Sequence, residues 1–309
     1  MAMRDYLVGE VAEEYAQGLL DRREAIRRLG LLGMVAASAT ALLAACAQSS
    51  PEPVGGPPAV SPTAPPTPPQ TTPPPGPDAG APIEFAGAQG VTYRAAWKAP
   101  AGAAMGALLV IHENKGLTTH FYDLVGRLAK IGYAALCLDL LSGIGRDGTA
   151  GFTDQAAATA ALSGIPKDDL LRDLRAATDE LLRRAPNTKL GAVGFCFGAA
   201  MTWNLLQAGP LQEQRLRAAA PFYGPAPDLP DFTGSQAAVL AVYAGNDARV
   251  NATRDAASAA LAKAGLTHEV VTYDGAEHAF FNDTGPRYNA AAAEAAWTKL
   301  QGWFGTHLA

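Results

Sequence analysis

GAVGFCFGAA, residues 191 to 200, sets a cysteine between two phenylalanines, with a glycine two residues before it and another two residues after. The apolar run KLGAVGFC (189 to 196) reads as a buried strand, and Gly198-Ala199-Ala200 opens a helix directly behind it. A cysteine inside such a strand would be a small hydrophobe of the core. Cys196 falls instead at the strand's end, in the cysteine form of the G-x-S-x-G strand-to-helix turn that lifts a nucleophile above a sheet. Side chains at Gly194 and Gly198 would collide where strand and helix cross, and the helix N-terminus favours a thiolate.

On either side of this stretch, short apolar runs alternate with longer amphipathic ones. Strands are expected at YRAAWKA (93 to 99), ALLVIHE (107 to 113), YAALCLDL (133 to 140), LRAAAPFYG (216 to 224), AAVLAVYAG (237 to 245) and HEVVTYDG (268 to 275). Helices are expected at FYDLVGRLAKIG, PKDDLLRDLRAATDELLRRA, Gly198 to Gln207, NATRDAASAALAKAG and the terminal YNAAAAEAAWTKLQGWF. The alternation predicts an α/β class: a mostly parallel central sheet with helices on both faces. The strand-to-helix turn at Cys196 adds the expectation of an α/β-hydrolase fold.

That arrangement supplies a thiol's partners in the chain order nucleophile, acid, histidine. VYAGNDARV places Asp247 just past one strand, and YDGAEHAFF places His278 just past the next. Both stand at the carboxyl edge, where ligands bind in open α/β sheets. His278 is expected to act as general base and acid, with Asp247 orienting its ring. The oxyanion hole would come from the backbone N–H groups of Phe197 and, after LLVIHE, of Asn114. Glu113, next to Asn114, could reach the same pocket and hydrogen-bond the resting thiol. His112-Glu113-Asn114-Lys115-Gly116 begins like the zinc motif H-E-x-x-H, but glycine stands at the last position, so no metal is expected, nor any other cofactor.

Composition sets the outer limits. The 309 residues are 49% hydrophobic and 17% charged, enough for a sizeable core, and a formal net charge of −5 gives no basic footprint for nucleic acid. Cys46, Cys137 and Cys196 are widely spaced with no C-x-x-C pair, which argues against a disulfide framework or a thiolate zinc site. Cys137 reads as core.

Residues 1 to 46 have the order of an export signal: Arg22-Arg23, an uncharged stretch from Leu29 to Ala45, then small residues before Cys46. Arg22-Arg23 with Ala25-Ile26 resembles a twin-arginine signal, and Leu43-Ala44-Ala45-Cys46 resembles a lipobox. Together they imply acylation at Cys46 and a periplasmic or envelope protein tied to a membrane. The alternatives are an uncleaved anchor or a cytoplasmic amphipathic helix from Tyr6 to Leu32. The acidic leader (Glu10, Glu13, Glu14, Asp21) departs from a normal signal. Residues 47 to 82, as in SPTAPPTPPQTTPPPGP, are a disordered Pro/Ala-rich linker by composition, leaving 83 to 309 as the folded domain.

IHENKGL, CLDLL, VGFCFGAA, YAGNDARV and GAEHAFFND, in this order, resemble the dienelactone hydrolases, or carboxymethylenebutenolidases. The resemblance implies a cysteine hydrolase acting on a small ester or lactone, with Cys196, Asp247 and His278 catalytic and Glu113 holding the thiol neutral until substrate displaces it. It also implies two carboxylate-binding arginines, one shortly after the D-L of CLDL and one four residues past the histidine. Here those places read Leu140-Leu141-Ser142-Gly143 and Asn282. Lys115, Arg146, Asn282 or Arg287 would have to meet the substrate instead. A monomer with a small-molecule substrate is expected; a lipoprotein using the fold as a binding module is the alternative. Gly143-Ile144-Gly145-Arg146-Asp147-Gly148 fits G-x-G-x-x-G but lacks the following helix, so it reads as a lid-like loop. Asn251-Ala252-Thr253 is a glycosylation sequon only on a eukaryotic secretory route. Trp297 and Trp303 read as packing residues.

Overall fold

The computed structural model describes residues 3–48, 75–87, 90–144, 147–207 and 216–309. The chain divides into two compact units, Met1–Pro73 and Pro74–Ala309. In the first, helices α1 (Met3–Ala16), α2 (Arg22–Leu31) and α3 (Ala36–Gln48) pack on one another. The chain breaks between Ala16 and Arg22, so the region from Tyr6 to Leu32 is two helices rather than one. Asp21 caps α2 by accepting the Glu24 N–H at 2.8 Å, and Arg28 links the helices through Glu14 at 3.2 Å. Among the described residues no helix is long and apolar enough to cross a membrane. Cys46 lies in the last turn of α3, with its side chain outside the described residues, as is most of the proline-rich stretch.

The second unit is built on one eight-stranded sheet in the order β1-β2-β4-β3-β5-β6-β7-β8. Its strands are β1 (Ala81–Ala86), β2 (Thr92–Lys98), β3 (Gly106–Ile111), β4 (Tyr133–Leu138), β5 (Leu190–Phe195), β6 (Leu216–Phe222), β7 (Ala238–Asn246) and β8 (His268–Glu277). Along the order from β4 to β8 all neighbours are parallel, while β2 runs antiparallel to both of its neighbours, β1 and β4. Every residue of β3, β4 and β5 is buried, as a sheet covered on both faces requires. Cys137 sits in that core, where burial pushes its thiol pKa well up.

The sheet begins earlier than the composition suggests. Ala81 and Pro82 already pair with Trp97 and Ala96. Covering helices follow the strands: α4 (Thr119–Lys130), α5 (Gln155–Ser163), α6 (Lys167–Arg184), α7 (Phe197–Leu206), the short α8 (Ala248–Asn251), α9 (Arg254–Lys263) and α10 (Ala290–Leu308). α4 and α10 share a face, joined where the Arg127 guanidinium lies 4.4 Å from the Trp297 ring centre; α6 and α7 neighbour each other on the opposite face. Trp303 donates from Nε1 to the Ala238 carbonyl at 3.3 Å, so both tryptophans tie α10 down.

Candidate active site

Register decides which side chains meet at the carboxyl edge. Asn246 of β7 pairs with Glu277 of β8, so the next residues, Asp247 and His278, emerge side by side. Ile111 pairs with Gly194, which sets Glu113 and Cys196 two residues beyond a matched pair; Phe195 pairs with Phe222, setting Cys196 beside Tyr223.

Cys196 caps α7 with φ 53° and ψ −114°, a conformation that costs a non-glycine residue of order 1–3 kcal/mol. Tyr223 (φ 39°) and Ala279 (φ 63°) share the left-handed region at the same edge. What enforces the turn lies on both sides of it. A Cβ on Gly194 would come within 2.1 Å of the Gly198 carbonyl oxygen, and one on Gly198 within 2.1 Å of the Ile111 carbonyl oxygen. Beneath the turn, Phe195 packs against Phe222 at 4.9 Å, Phe281 at 5.3 Å and Phe121 at 5.9 Å between ring centres. The Cys196 N–H donates to the Phe222 carbonyl at 3.0 Å.

His278 Nδ1 meets Asp247 Oδ2 at 2.6 Å, with both side chains fully buried. A His278 ring nitrogen lies within 4.8 Å of Cys196 Sγ. Burial alone would pull the imidazolium down, but the charges of Cys196 and Asp247 outweigh it, so the His278 pKa stands well above its ordinary value. Burial raises the Asp247 carboxyl, and the His278 charge and hydrogen bond reverse that, leaving its pKa lowered. Asp247 Oδ1 also accepts the Val250 N–H at 3.1 Å, which holds the carboxylate at the start of α8. Asn251, the sequon residue, spends its amide on the Ala244 carbonyl at 2.8 Å.

Glu113 is held from two directions. Tyr223 donates its hydroxyl to Oε1 at 3.1 Å, and Asn282 donates Nδ2 to Oε2 at 2.8 Å. Burial, with the Glu113 and Cys196 charges, pushes the Tyr223 pKa well up and keeps the hydroxyl a donor; the Arg287 guanidinium acts in the opposite sense. Arg287, 9% exposed, therefore faces the same cluster, whereas Lys115 is half-buried on the turn after β3 and Arg146 lies outside the described residues. Tyr223 escaped the sequence reading because only the strand register places it next to Cys196.

The turn carrying Asn114 is clamped to the loop after β4. His112 accepts the Leu140 N–H at 3.1 Å through Nε2 and meets the Glu113 carbonyl at 2.7 Å through Nδ1, so both ring nitrogens serve the backbone rather than a metal. Thr149 Oγ1 accepts the Leu117 N–H at 2.9 Å and donates to Asp139 Oδ1 at 2.7 Å, while Asp139 Oδ2 accepts the Thr149 N–H at 2.7 Å. The glycine-rich stretch before it is thus tethered at its far end. Thr149→Val keeps the shape but strips the hydroxyl from the Leu117 N–H and from Asp139. It should lower stability by about 1–3 kcal/mol, because the Leu117 N–H loses its acceptor while Asp139 Oδ1 keeps the Leu141 N–H. The check is the urea midpoint at unchanged m-value; an unshifted midpoint would mean that the clamp is not needed.

The family model described as the dienelactone hydrolase family matches residues 93–308. A protein named "Putative carboxymethylenebutenolidase" from Methylorubrum extorquens is 32% identical over 210 residues, covering 64% of this chain and 70% of that one. A protein of the same name from Escherichia coli is 31% identical over 217 residues, covering 64% and 75%. A solved structure from Klebsiella pneumoniae, "Putative Dienelactone Hydrolase", superposes with a TM-score of 0.61 at 26% identity, over 74% of this chain and 100% of that one. An acylaminoacyl peptidase shares the fold, with a TM-score of 0.56 at 14% identity over 74% of this chain and 42% of that one. The family match runs from β2 to the end of α10 and takes in every strand end of the site: the chain is a hydrolase of the dienelactone hydrolase family.

Proposed function

We propose that the chain hydrolyses a small ester or lactone through a thiolate at Cys196. The observation that carries this is His278, whose ring stands between the Asp247 carboxylate and the Cys196 sulfur at the aligned ends of three strands. With Nδ1 committed to Asp247, Nε2 is the nitrogen left for the thiol. The raised His278 pKa favours an imidazolium–thiolate pair. The thiolate attacks the carbonyl carbon, and the carbonyl electron pair moves to oxygen, where the N–H groups of Phe197 and Asn114 receive it. Collapse expels the alcohol or enol oxygen, which takes its proton from His278. Water then gives a proton to His278 and attacks the thioester, releasing the acid and restoring Cys196. Glu113 is held by Asn282 and by Tyr223, the residue that strand register sets beside Cys196.

The relatives' printed name, carboxymethylenebutenolidase, points to a lactone; Asn282, where an arginine is implied, widens the range to esters without a carboxylate. The segment up to Cys46 is proposed as an export and lipidation signal on the strength of Arg22-Arg23 and Leu43-Ala44-Ala45-Cys46. The test is acid-quenched reaction of the full chain with p-nitrophenyl acetate, beside cis-dienelactone as second substrate. A burst of one p-nitrophenol per chain and an acetyl group on the peptide holding Cys196 are expected. An acetyl group on another residue, or hydrolysis of neither substrate, would overturn the reading.

A further inference from the structure

A second histidine–carboxylate pair stands beside the first. His120, in the first turn of α4, donates Nδ1–H to Asp283 Oδ1 at 2.8 Å; its side chain is 2% exposed and that of Asp283 is 50% exposed. The imidazole packs edge-on to Phe121 at 5.1 Å and Phe281 at 6.3 Å, and its Nε2 is buried with no hydrogen-bond partner. Packing does not require a nitrogen here. A phenylalanine would fill the same aromatic niche without desolvating a polar atom. What a histidine adds is the Nδ1–H bond, held despite an unsatisfied Nε2.

The bond leads to the site. Asp283 directly follows Asn282, whose Oδ1 accepts the Thr284 N–H at 3.0 Å and the Thr284 hydroxyl at 2.7 Å while its Nδ2 reaches Glu113 at 2.8 Å. The loop closes on itself through Asn282 N–H to the Ala279 carbonyl at 3.1 Å and Asn289 N–H to the Phe280 carbonyl at 3.0 Å. His120 attaches this closed loop to α4 by a side chain. Arg127 also faces Asp283, and the hydrogen bond from His120 is the main cause of the lowered Asp283 pKa.

We propose that His120 is a positioning residue: through Asp283 it fixes the loop that presents Asn282, and so holds Glu113 in place beside Cys196. The proposal rests on the thiolate reading above. Phe at position 120 keeps the packing and loses the bond; Asn offers an amide N–H at the place of Nδ1. Ala at 283 removes the acceptor from a half-exposed residue, so that variant will fold, and Asn at 283 restores it.

The experiment measures kcat, KM and Tm of the full chain on p-nitrophenyl acetate for H120F, H120N, D283A and D283N, beside C196A. A displaced catalytic group costs rate rather than binding, so H120F and D283A should lose kcat about tenfold with KM held within about twofold, and H120N and D283N should keep most of it. H120F or D283A turning over at the unsubstituted rate would overturn the proposal. So would H120F and H120N losing kcat equally and in step with Tm, which is the behaviour of packing alone. Retained activity in C196A would instead remove the thiolate reading on which the proposal stands.

Discussion

Cys196→Ala should lower kcat/KM on p-nitrophenyl acetate by at least about 10⁴-fold, whereas Cys196→Ser should stay measurably above it. The two substitutions remove different things. Alanine leaves the Phe197 and Asn114 N–H groups and the Asp247–His278 pair intact but provides nothing to attack the carbonyl. What survives is binding and oxyanion stabilisation of direct attack by water. Serine keeps an attacking oxygen at the same strained φ of 53°. A hydroxyl ionises far less readily than a thiol, however, and forfeits the imidazolium–thiolate pair that the raised His278 pKa favours. Its acyl form is an ester rather than a thioester, so the second half-reaction suffers as well. Steady-state rates with active-site titration separate the variants, and an alanine variant within tenfold of the unsubstituted chain would mean that the nucleophile is another residue or water.

The order of the two substituted proteins follows from features that the sequence displays openly. Cys196, Asp247 and His278 each follow directly on the last residue of a parallel strand, Phe195, Asn246 and Glu277, and each strand shows as a β-rich run in the sequence, so their convergence could be read without coordinates. Strand β1 could not. Ala81-Pro82-Ile83-Glu84-Phe85-Ala86 pairs on one side with β2, leaves alternate residues exposed, and borders a proline-rich stretch that hides it by composition. Helix α5, nine residues rich in alanine, is lost for a similar reason: it follows an irregular loop, and its cap at Asp154 makes no pattern until the loop is in place. The supports of Glu113 were beyond local reading altogether. Tyr223 follows β6 and Asn282 lies past β8, and only strand order brings both to a residue that follows β3.

Gly198→Ala should be among the most damaging single-methyl additions in the chain. The new Cβ would stand 2.1 Å from the Ile111 oxygen, 2.6 Å from the Ile111 carbonyl carbon and 2.7 Å from the His112 oxygen. All three are backbone atoms of the central strand β3 or the residue after it, so no side chain can swing away. Either α7 lifts off the sheet, opening the packing of Phe197 and Met201, or β3 gives way and carries Glu113 and Asn114 with it. Overpacking of ordinary cores costs about 1–3 kcal/mol, and a clash with fixed backbone on both partners should exceed that range, at about 4 kcal/mol or more. Gly302→Ala is the matched control: it sits inside α10 with nothing within 4 Å of the new methyl. There the exchange should stabilise by up to about 1 kcal/mol through helix propensity. Urea unfolding of both variants, with p-nitrophenyl acetate turnover beside it, reads the contrast. A Gly198→Ala protein as stable and active as the Gly302→Ala one would mean that strand and helix do not cross as closely as 2.1 Å implies, and the mechanical reading of GFCFG would fall with it.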